Sequence, residues 1–216
     1  MFFNETLRDK VVLILAPHTD DGEFGCGGAI SRMLELGANV HYLAFSSCEQ
    51  SLEPSKPRDT LIIELMEATL LLGIKPANVR IFDFPVRKFN NYRQEILEEM
   101  VKVNKELKPD IVFLPSTYDT HQDHNTISNE GFRAFKTTSL LGYELPWNNM
   151  QFNTSAFILL QKKNIDRKIK AINCYKSQIN RMYASSEAIM SNAIMRGVQV
   201  GASYAEAFEL IRMIVK

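Results

Sequence analysis

Cysteine is scarce in this 216-residue chain: the three present, Cys26, Cys48 and Cys174, are scattered, with no Cys-x-x-Cys pair. An odd, dispersed set excludes a disulfide framework and suits a reducing compartment. Neither sign of charge is in excess. Twenty-five Lys and Arg balance 25 Asp and Glu, giving a formal net charge of +0 with no long basic run. Nucleic acid and anionic membrane are therefore not expected as main partners. No apolar run approaches the ~20 residues of a membrane span. Met1 to Arg8 lack the charged-then-apolar layout of a secretory leader. The expectation is a soluble, cytoplasmic protein. What remains is ordinary globular material, 45% hydrophobic and 23% charged. Its length fits one sizeable core and a single domain over residues 1–216. A neutral, Met-rich surface permits a homo-oligomer without specifying one.

Histidine is also scarce, and three of the four lie in two polar stretches. The first is Pro17-His18-Thr19-Asp20-Asp21-Gly22-Glu23-Phe24-Gly25-Cys26-Gly27-Gly28. It follows Val11–Ala16, an apolar run that reads as a buried strand. It precedes Ala29–Leu36, whose apolar spacing of three and four marks a helix. The second, Asp119-Thr120-His121-Gln122-Asp123-His124-Asn125, follows the strand-like Ile111–Leu114 and precedes another helical pattern. Strand ends are where open α/β sheets hold ligands, and the glycines let the backbone turn tightly and pass close to whatever binds.

Strand and helix signals alternate through the first two thirds. Strands are expected at Asn39–Phe45, Val79–Phe84 and Asp110–Leu114. Helices are expected at Arg58–Leu72, Tyr92–Leu107 and Asp123–Lys136, with Gly37 and Gly73 as C-terminal caps. Ser46–Pro57 and Pro85–Asn91 read as loops. Later, Leu140–Leu145 and Ser155–Leu160 read as strands and Pro146–Asn149 as a turn. Ile165–Gln178, Ser186–Gly197 and Tyr204–Val215 read as helices. This order predicts an α/β fold: a Rossmann-like, mostly parallel sheet with helices on both faces, in three layers.

A hydrolytic metal site needs three protein ligands, an open position for water and a nearby base. His18 and Asp21, three apart, can point the same way at the start of a helical turn, and His121 and His124 share that spacing. A set of His18, Asp21 and His124 would bind Zn²⁺. Asp20 could then take a proton from water. His121 would be free to stabilise or protonate the intermediate, with Asp123 as its orienting carboxylate. Spacing alone does not separate the roles of His121 and His124. Against this stand plainer readings: surface histidines in a loop, and an Asp that simply caps a helix. His41, inside a strand, reads as structural.

At this point the chain resembles the PIG-L (LmbE-like) zinc-dependent de-N-acetylases. Their first motif, His-Pro-Asp-Asp-Glu before a Gly-Cys-Gly-Gly-like turn, stands here as His18 to Gly28. Their His-x-Asp-His stands as His121-Gln122-Asp123-His124. Glu64, Ala68 and Leu72-Gly73 resemble the family's second helix, and Lys108-Pro109-Asp110 the entry to its fourth strand. Lys170 to Tyr175 with Ser177-Gln178 resembles its later K-x-x-A-x-x-x-Y-x-S-Q pattern. Tyr204 to Glu209 resembles the end of members found with bacterial surface-polysaccharide genes.

The resemblance implies that His18, Asp21 and His124 bind the metal, Zn²⁺ or else Fe²⁺. It implies that Asp20 is the general base, that His121 stabilises the oxyanion or protonates the leaving amine, and that Asp123 orients His121. The implied reaction is hydrolysis of the acetamide of a GlcNAc-type amino sugar, small or carrier-linked, by a metal-activated water. Two positions depart from the pattern: Thr19 replaces the proline and Gly22 the glutamate. Arg87, Lys88 and Arg93 could meet a phosphate or carboxylate of a carrier, and Glu144 and Trp147 could line a sugar pocket. Tyr92, Met182 and the Met-rich tail read as packing or an oligomer surface. The alternatives are a phosphoesterase, a nucleotide-binding module on Gly25 to Gly28, or an inactive sugar-binding relative. The phosphoesterase would favour more ligands than are present. The dinucleotide fingerprint lacks its spacing and its acid at Phe45-Ser46-Ser47.

Overall fold

The computed structural model describes residues 7–178 and 181–215. The leader reading therefore falls largely outside the described residues. Five strands run parallel: β1 (Val11–Ala16), β2 (Asn39–Ala44), β3 (Val79–Ile81), β4 (Ile111–Pro115) and β5 (Ser139–Tyr143). Two more, β6 (Ala156–Leu160) and β7 (Tyr204–Arg212), complete one sheet in the order β3-β2-β1-β4-β5-β7-β6, with β7 antiparallel to both its neighbours. The helices are α1 (Asp21–Glu35), α2 (Thr60–Leu72), α3 (Arg93–Leu107), α4 (Gln122–Ala134), α5 (Lys162–Ile172) and α6 (Ser186–Val198).

The side-chain alternation of β1 builds two cores. Val12, Ile14 and Ala16 pack with α1, α2, α5 and α6 on one face, and Leu13 and Leu15 pack with α3 and α4 on the other. This is the expected three-layer α/β fold with a mostly parallel sheet. No helix among the described residues is long and apolar enough to cross a membrane.

The last segment differs from the sequence reading. Tyr204–Arg212 is a strand, although its Ala, Glu and Leu favour helix and its apolar residues 204, 207, 208 and 211 carry helical spacing. The segment lies between β5 and β6, pairs along both edges and is buried continuously from Ala205 to Glu209. A strand buried on both faces shows no alternation to read, and sheet pairing overrides local propensity. The segment predicted as a helix from Ile165 to Gln178 ends at Ile172, and the chain then turns to bring Tyr175 beneath the Thr19 carbonyl. β3 also stops at Ile81, short of Phe84.

The glycine-rich stretch is not a turn before the helix, because α1 already begins at Asp21. Its glycines matter for the side chains they lack. A Cβ on Gly25 would stand 2.2 Å from Cδ2 of Tyr143, and one on Gly28 would stand 2.6 Å from Cδ1 of Leu160. The helix loses its geometry at Cys26 (φ −146°, ψ 23°). Such a break leaves backbone groups without helical partners. Gly28 and Ala29 donate their N–H groups to the Glu206 carboxylate, at 3.0 and 2.7 Å. Lys168 Nζ donates to the same carboxylate and to the Phe24 carbonyl, both at 2.6 Å. Lys168 and Glu206 are both buried.

Removing one member of a buried pair leaves the other charge uncompensated. Glu206→Ala is expected to lower unfolding stability by about 3–5 kcal/mol in urea denaturation. A loss below about 1 kcal/mol, the scale of an exposed ion pair, would show that this carboxylate does not hold the broken helix.

Candidate metal centre

β1 and β4 pair in parallel from Val12↔Ile111 to Ile14↔Phe113, so the segments that leave their C-terminal ends emerge side by side. His18 follows β1, and Asp21 opens α1. Asp119 and His121 lie between β4 and α4, and Asp123 and His124 lie in the first turn of α4. Three potential ligand atoms then meet. His18 Nδ1 is 3.1 Å from Asp21 Oδ2 and 3.2 Å from His124 Nε2, and His124 Nε2 is 3.3 Å from Asp21 Oδ2. Zinc bonds of about 2.0–2.2 Å would set tetrahedral ligand atoms roughly 3.3–3.6 Å apart, close to this triangle.

The outer nitrogen of each imidazole is held by a carboxylate, the usual support of a metal-binding histidine. His18 Nε2 is 3.0 Å from Asp123 Oδ2, and His124 Nδ1 is 2.8 Å from Asp119 Oδ2. Asp123 meets His121 through its backbone N–H, and its carboxylate is turned elsewhere. Its carboxylate serves His18 and also accepts the N–H groups of Arg87 (2.6 Å) and Phe89 (3.2 Å). Asp119 stands in the second polar stretch, where spacing assigns it no role. Its only sequence signal is its place just past a strand end.

His121 lies close by, and the three histidines form a wider cluster whose ligand atoms fall within 4.8 Å of one another. The narrower set with Asp21 fits an ion better, because His121 Nδ1 is engaged otherwise. It accepts the Asp123 N–H at 3.2 Å as the cap of α4. A neutral imidazole accepting at Nδ1 carries its proton on Nε2, which is then a donor and not a ligand. Burial, with His124 and His18 nearby, pushes the His121 pKa down to about 4, so the ring is neutral.

The remaining electrostatics show a cluster short of positive charge. Burial opposes the charged form of His124, yet Asp21 and Asp119 carry its pKa up to about 10. Burial likewise opposes charge on His18, but Asp21 and Asp123 raise its pKa. Burial favours the neutral acid of Asp21, while the two imidazoles hold its pKa well below the ordinary carboxylate range. Asp20 is raised by burial and by Asp21. Its side chain caps no backbone N–H of α1 and faces a cavity of about 270 Å³, also lined by His18, His121, His124 and Trp147.

The two positions that depart from the resembled motif both meet Tyr42. Where Thr19 lacks the stiffness of proline, its carbonyl is held by the hydroxyls of Tyr42 (3.0 Å) and Tyr175 (2.7 Å). Both hydroxyls also meet the buried carboxyl of Glu23, which burial pushes up to about 8. Gly22 leaves room for Tyr42: a Cβ there would lie 2.5 Å from its ring, and the Gly22 N–H donates to the Tyr42 hydroxyl at 3.1 Å. The lysine that completes the later motif is Lys168, beneath α1, rather than Lys170.

Of the more peripheral residues named from sequence, Arg87 and Trp147 line the cavity. Glu144 is turned to Arg196 of α6 at 3.1 Å, Arg93 is paired with the buried Glu130, and Lys88 is exposed. Tyr92 packs against Phe84, and Met182 is exposed. Arg181 and Tyr183 also line the cavity, with no signal in the sequence. Arg181 reaches within 3.7 Å of Asp20 Oδ2, and the Tyr183 ring stacks on Trp147 at 3.8 Å and 13°. Only the three-dimensional path of the segment before α6 brings them there.

A Rossmann-like sheet with a His–Asp–His triangle at the ends of adjacent parallel strands defines a class of α/β proteins with a candidate mononuclear metal centre. The chain belongs to the PIG-L family, described as GlcNAc-PI de-N-acetylase, which matches residues 13–135, more than half of its length. It is 27% identical over 145 residues to a diacetylchitobiose deacetylase from Thermococcus kodakarensis, covering 64% of this chain and 53% of that one. The chain thus spans about half the length of that relative. Among solved structures it is similar to the conserved protein TT1542 from Thermus thermophilus, with a TM-score of 0.80, 24% identity and coverage of 95% and 96% of the two chains. It is also similar to GalB, the 4-carboxy-2-hydroxymuconate hydratase of Pseudomonas putida, with a TM-score of 0.78, 21% identity and coverage of 96% and 98%. At these identities the structures show a shared fold.

Zinc titration is expected to give one tight site per chain, lost in His124→Ala. Asp119→Asn should keep the ligand triangle but weaken affinity by about 10–100-fold, as loss of a supporting carboxylate does. Unchanged affinity in Asp119→Asn would separate this carboxylate from the centre.

Proposed function

We propose that the chain is a metal-dependent hydrolase that removes the acetyl group from an N-acetylated amino sugar. His18, Asp21 and His124 are assigned as ligands, Zn²⁺ as the metal and Fe²⁺ as its alternative. The observation that carries the reading is the ligand triangle with each outer imidazole nitrogen on a carboxylate, beside the buried Asp20 carboxylate and a neutral histidine donor. Membership of a family described as a de-N-acetylase, and the likeness to a deacetylase of an acetylated disaccharide, support the choice of bond.

Bound there, a divalent ion supplies Lewis-acid polarisation of a carbonyl oxygen and acidifies water. Asp20 takes the proton from the attacking water. Its carboxylate is more basic than an exposed one, which suits a general base. The water oxygen bonds to the acetamide carbonyl carbon, and negative charge gathers on the carbonyl oxygen. His121 Nε2–H is assigned to donate to that charge. As the C–N bond breaks, the proton held by Asp20 passes to the departing nitrogen, leaving acetate and the free amine. Asp123 and Asp119 hold the rings of His18 and His124 in position. The Trp147–Tyr183 stack, with Phe24 edge-on to both rings, offers a flat apolar face that suits the C–H side of a sugar ring.

Asp20→Asn is expected to reduce acetate release from N-acetyl sugars by at least ~10²–10⁴-fold, with metal content unchanged. Full turnover in this variant would remove the base assignment. A metal-loaded wild type that frees no acetate from any N-acetyl sugar would overturn the reaction.

A further inference from the structure

The cavity carries charge of both signs. Asp20 and Asp21 belong to the metal centre, and Arg87 and Arg181 line the same space. Arg181 is engaged, with Asp20 at 3.7 Å and the Tyr183 hydroxyl at 2.6 Å. Arg87 is not. Arg93, Arg133, Arg167 and Arg196 each meet a carboxylate. Among the described residues the Arg87 guanidinium meets none.

Its backbone adds a second observation. Arg87 holds φ +64°, a left-handed conformation that glycine adopts without strain. The conformation serves the metal centre, because the Arg87 N–H donates to Asp123 Oδ2 at 2.6 Å and Asp123 holds His18. The site fixes this bend, and at the bend the chain keeps a long cationic side chain where glycine would fit best.

We propose that Arg87 binds an acidic substituent, a carboxylate or a phosphate monoester, on the sugar that enters this cavity. The substrate class is then acidic N-acetylated amino sugars rather than neutral ones. A guanidinium fork matches either group in bidentate fashion. The strand order supports the arrangement. Arg87 follows β3 and Trp147 follows β5, with the ends of β1 and β4 between them. The anion and the aromatic face thus flank the reacting acetamide. The acetamide part of this inference rests on the deacetylase reading; the anion part does not.

The test is calorimetric binding of deacetylated sugars, which do not turn over, to the metal-loaded protein: glucosamine, glucosamine 6-phosphate and muramic acid. At least one acidic sugar is expected to bind tenfold or more tightly than glucosamine. The better of the two distinguishes phosphate from carboxylate. The ratio should fall to near one in Arg87→Gln and be largely kept in Arg87→Lys. Arg87→Gly suits the backbone, so it should lose the ratio without lowering Tm, and misfolding cannot imitate the result. A wild type that binds acidic and neutral sugars alike, or binds none, overturns the proposal, as does a ratio that survives in Arg87→Gln. If the ratio holds while the N-acetyl forms release no acetate, the deacetylase reading fails and Arg87 keeps its role.

Discussion

Two glutamates on β7 hold the two halves of the metal centre in register. Glu206 receives the backbone N–H groups freed where α1 breaks, and the first turn of that helix carries Asp21. Glu209 accepts from the Ser116 hydroxyl (2.9 Å), the Thr117 N–H (2.8 Å) and the Thr117 hydroxyl, at the start of the loop that leads to Asp119 and His124. Three residues apart on a strand, the two side chains leave opposite faces of the sheet. Phe208 packs in one core and Ile211 against the other. One strand thereby anchors a segment from each layer.

The second constraint is charge. Asp21, Asp119 and Asp123 surround two imidazoles, and all three are buried. Buried carboxylates need counter-charge and hydrogen bonds, and here the imidazoles draw in protons to supply it. A bound cation would displace those protons, so metal affinity and proton affinity compete at the same atoms. The fold does not choose the reaction. A hydratase shares it, and what can distinguish one chemistry from another is the set of side chains at the ends of β1 and β4.

Much of this was legible in the sequence because it is local. The apolar runs of β1 and β4, the helical spacing of α2 and α3, and the two His–Asp stretches are each contained in a few consecutive residues. The rest depends on distant partners. Asp123 looked like the companion of His121 because they are neighbours in sequence, yet its carboxylate turns to His18, 105 residues away. Asp119, Arg181 and Tyr183 gain their places only when separate strands and loops converge. β7 carries helical spacing and helix-favouring residues, and only its slot between two strands makes it extended. Thr19 and Gly22 stand out locally only as departures from the resembled motif, and Tyr42 and Tyr175 reach the Thr19 carbonyl from distant parts of the chain.

Among the described residues the strand that comes latest in sequence is not at the edge of the sheet. β7 inserts between β5 and β6, both of which precede it in sequence. During synthesis, β6 has no neighbour in the sheet until residues 204–212 have left the ribosome. A nascent chain that stops before Tyr204 already holds every candidate metal ligand, yet neither glutamate that fixes their two segments. Assembly of the centre is thus ordered in time: the ligands are made first, and the strand that locks them follows.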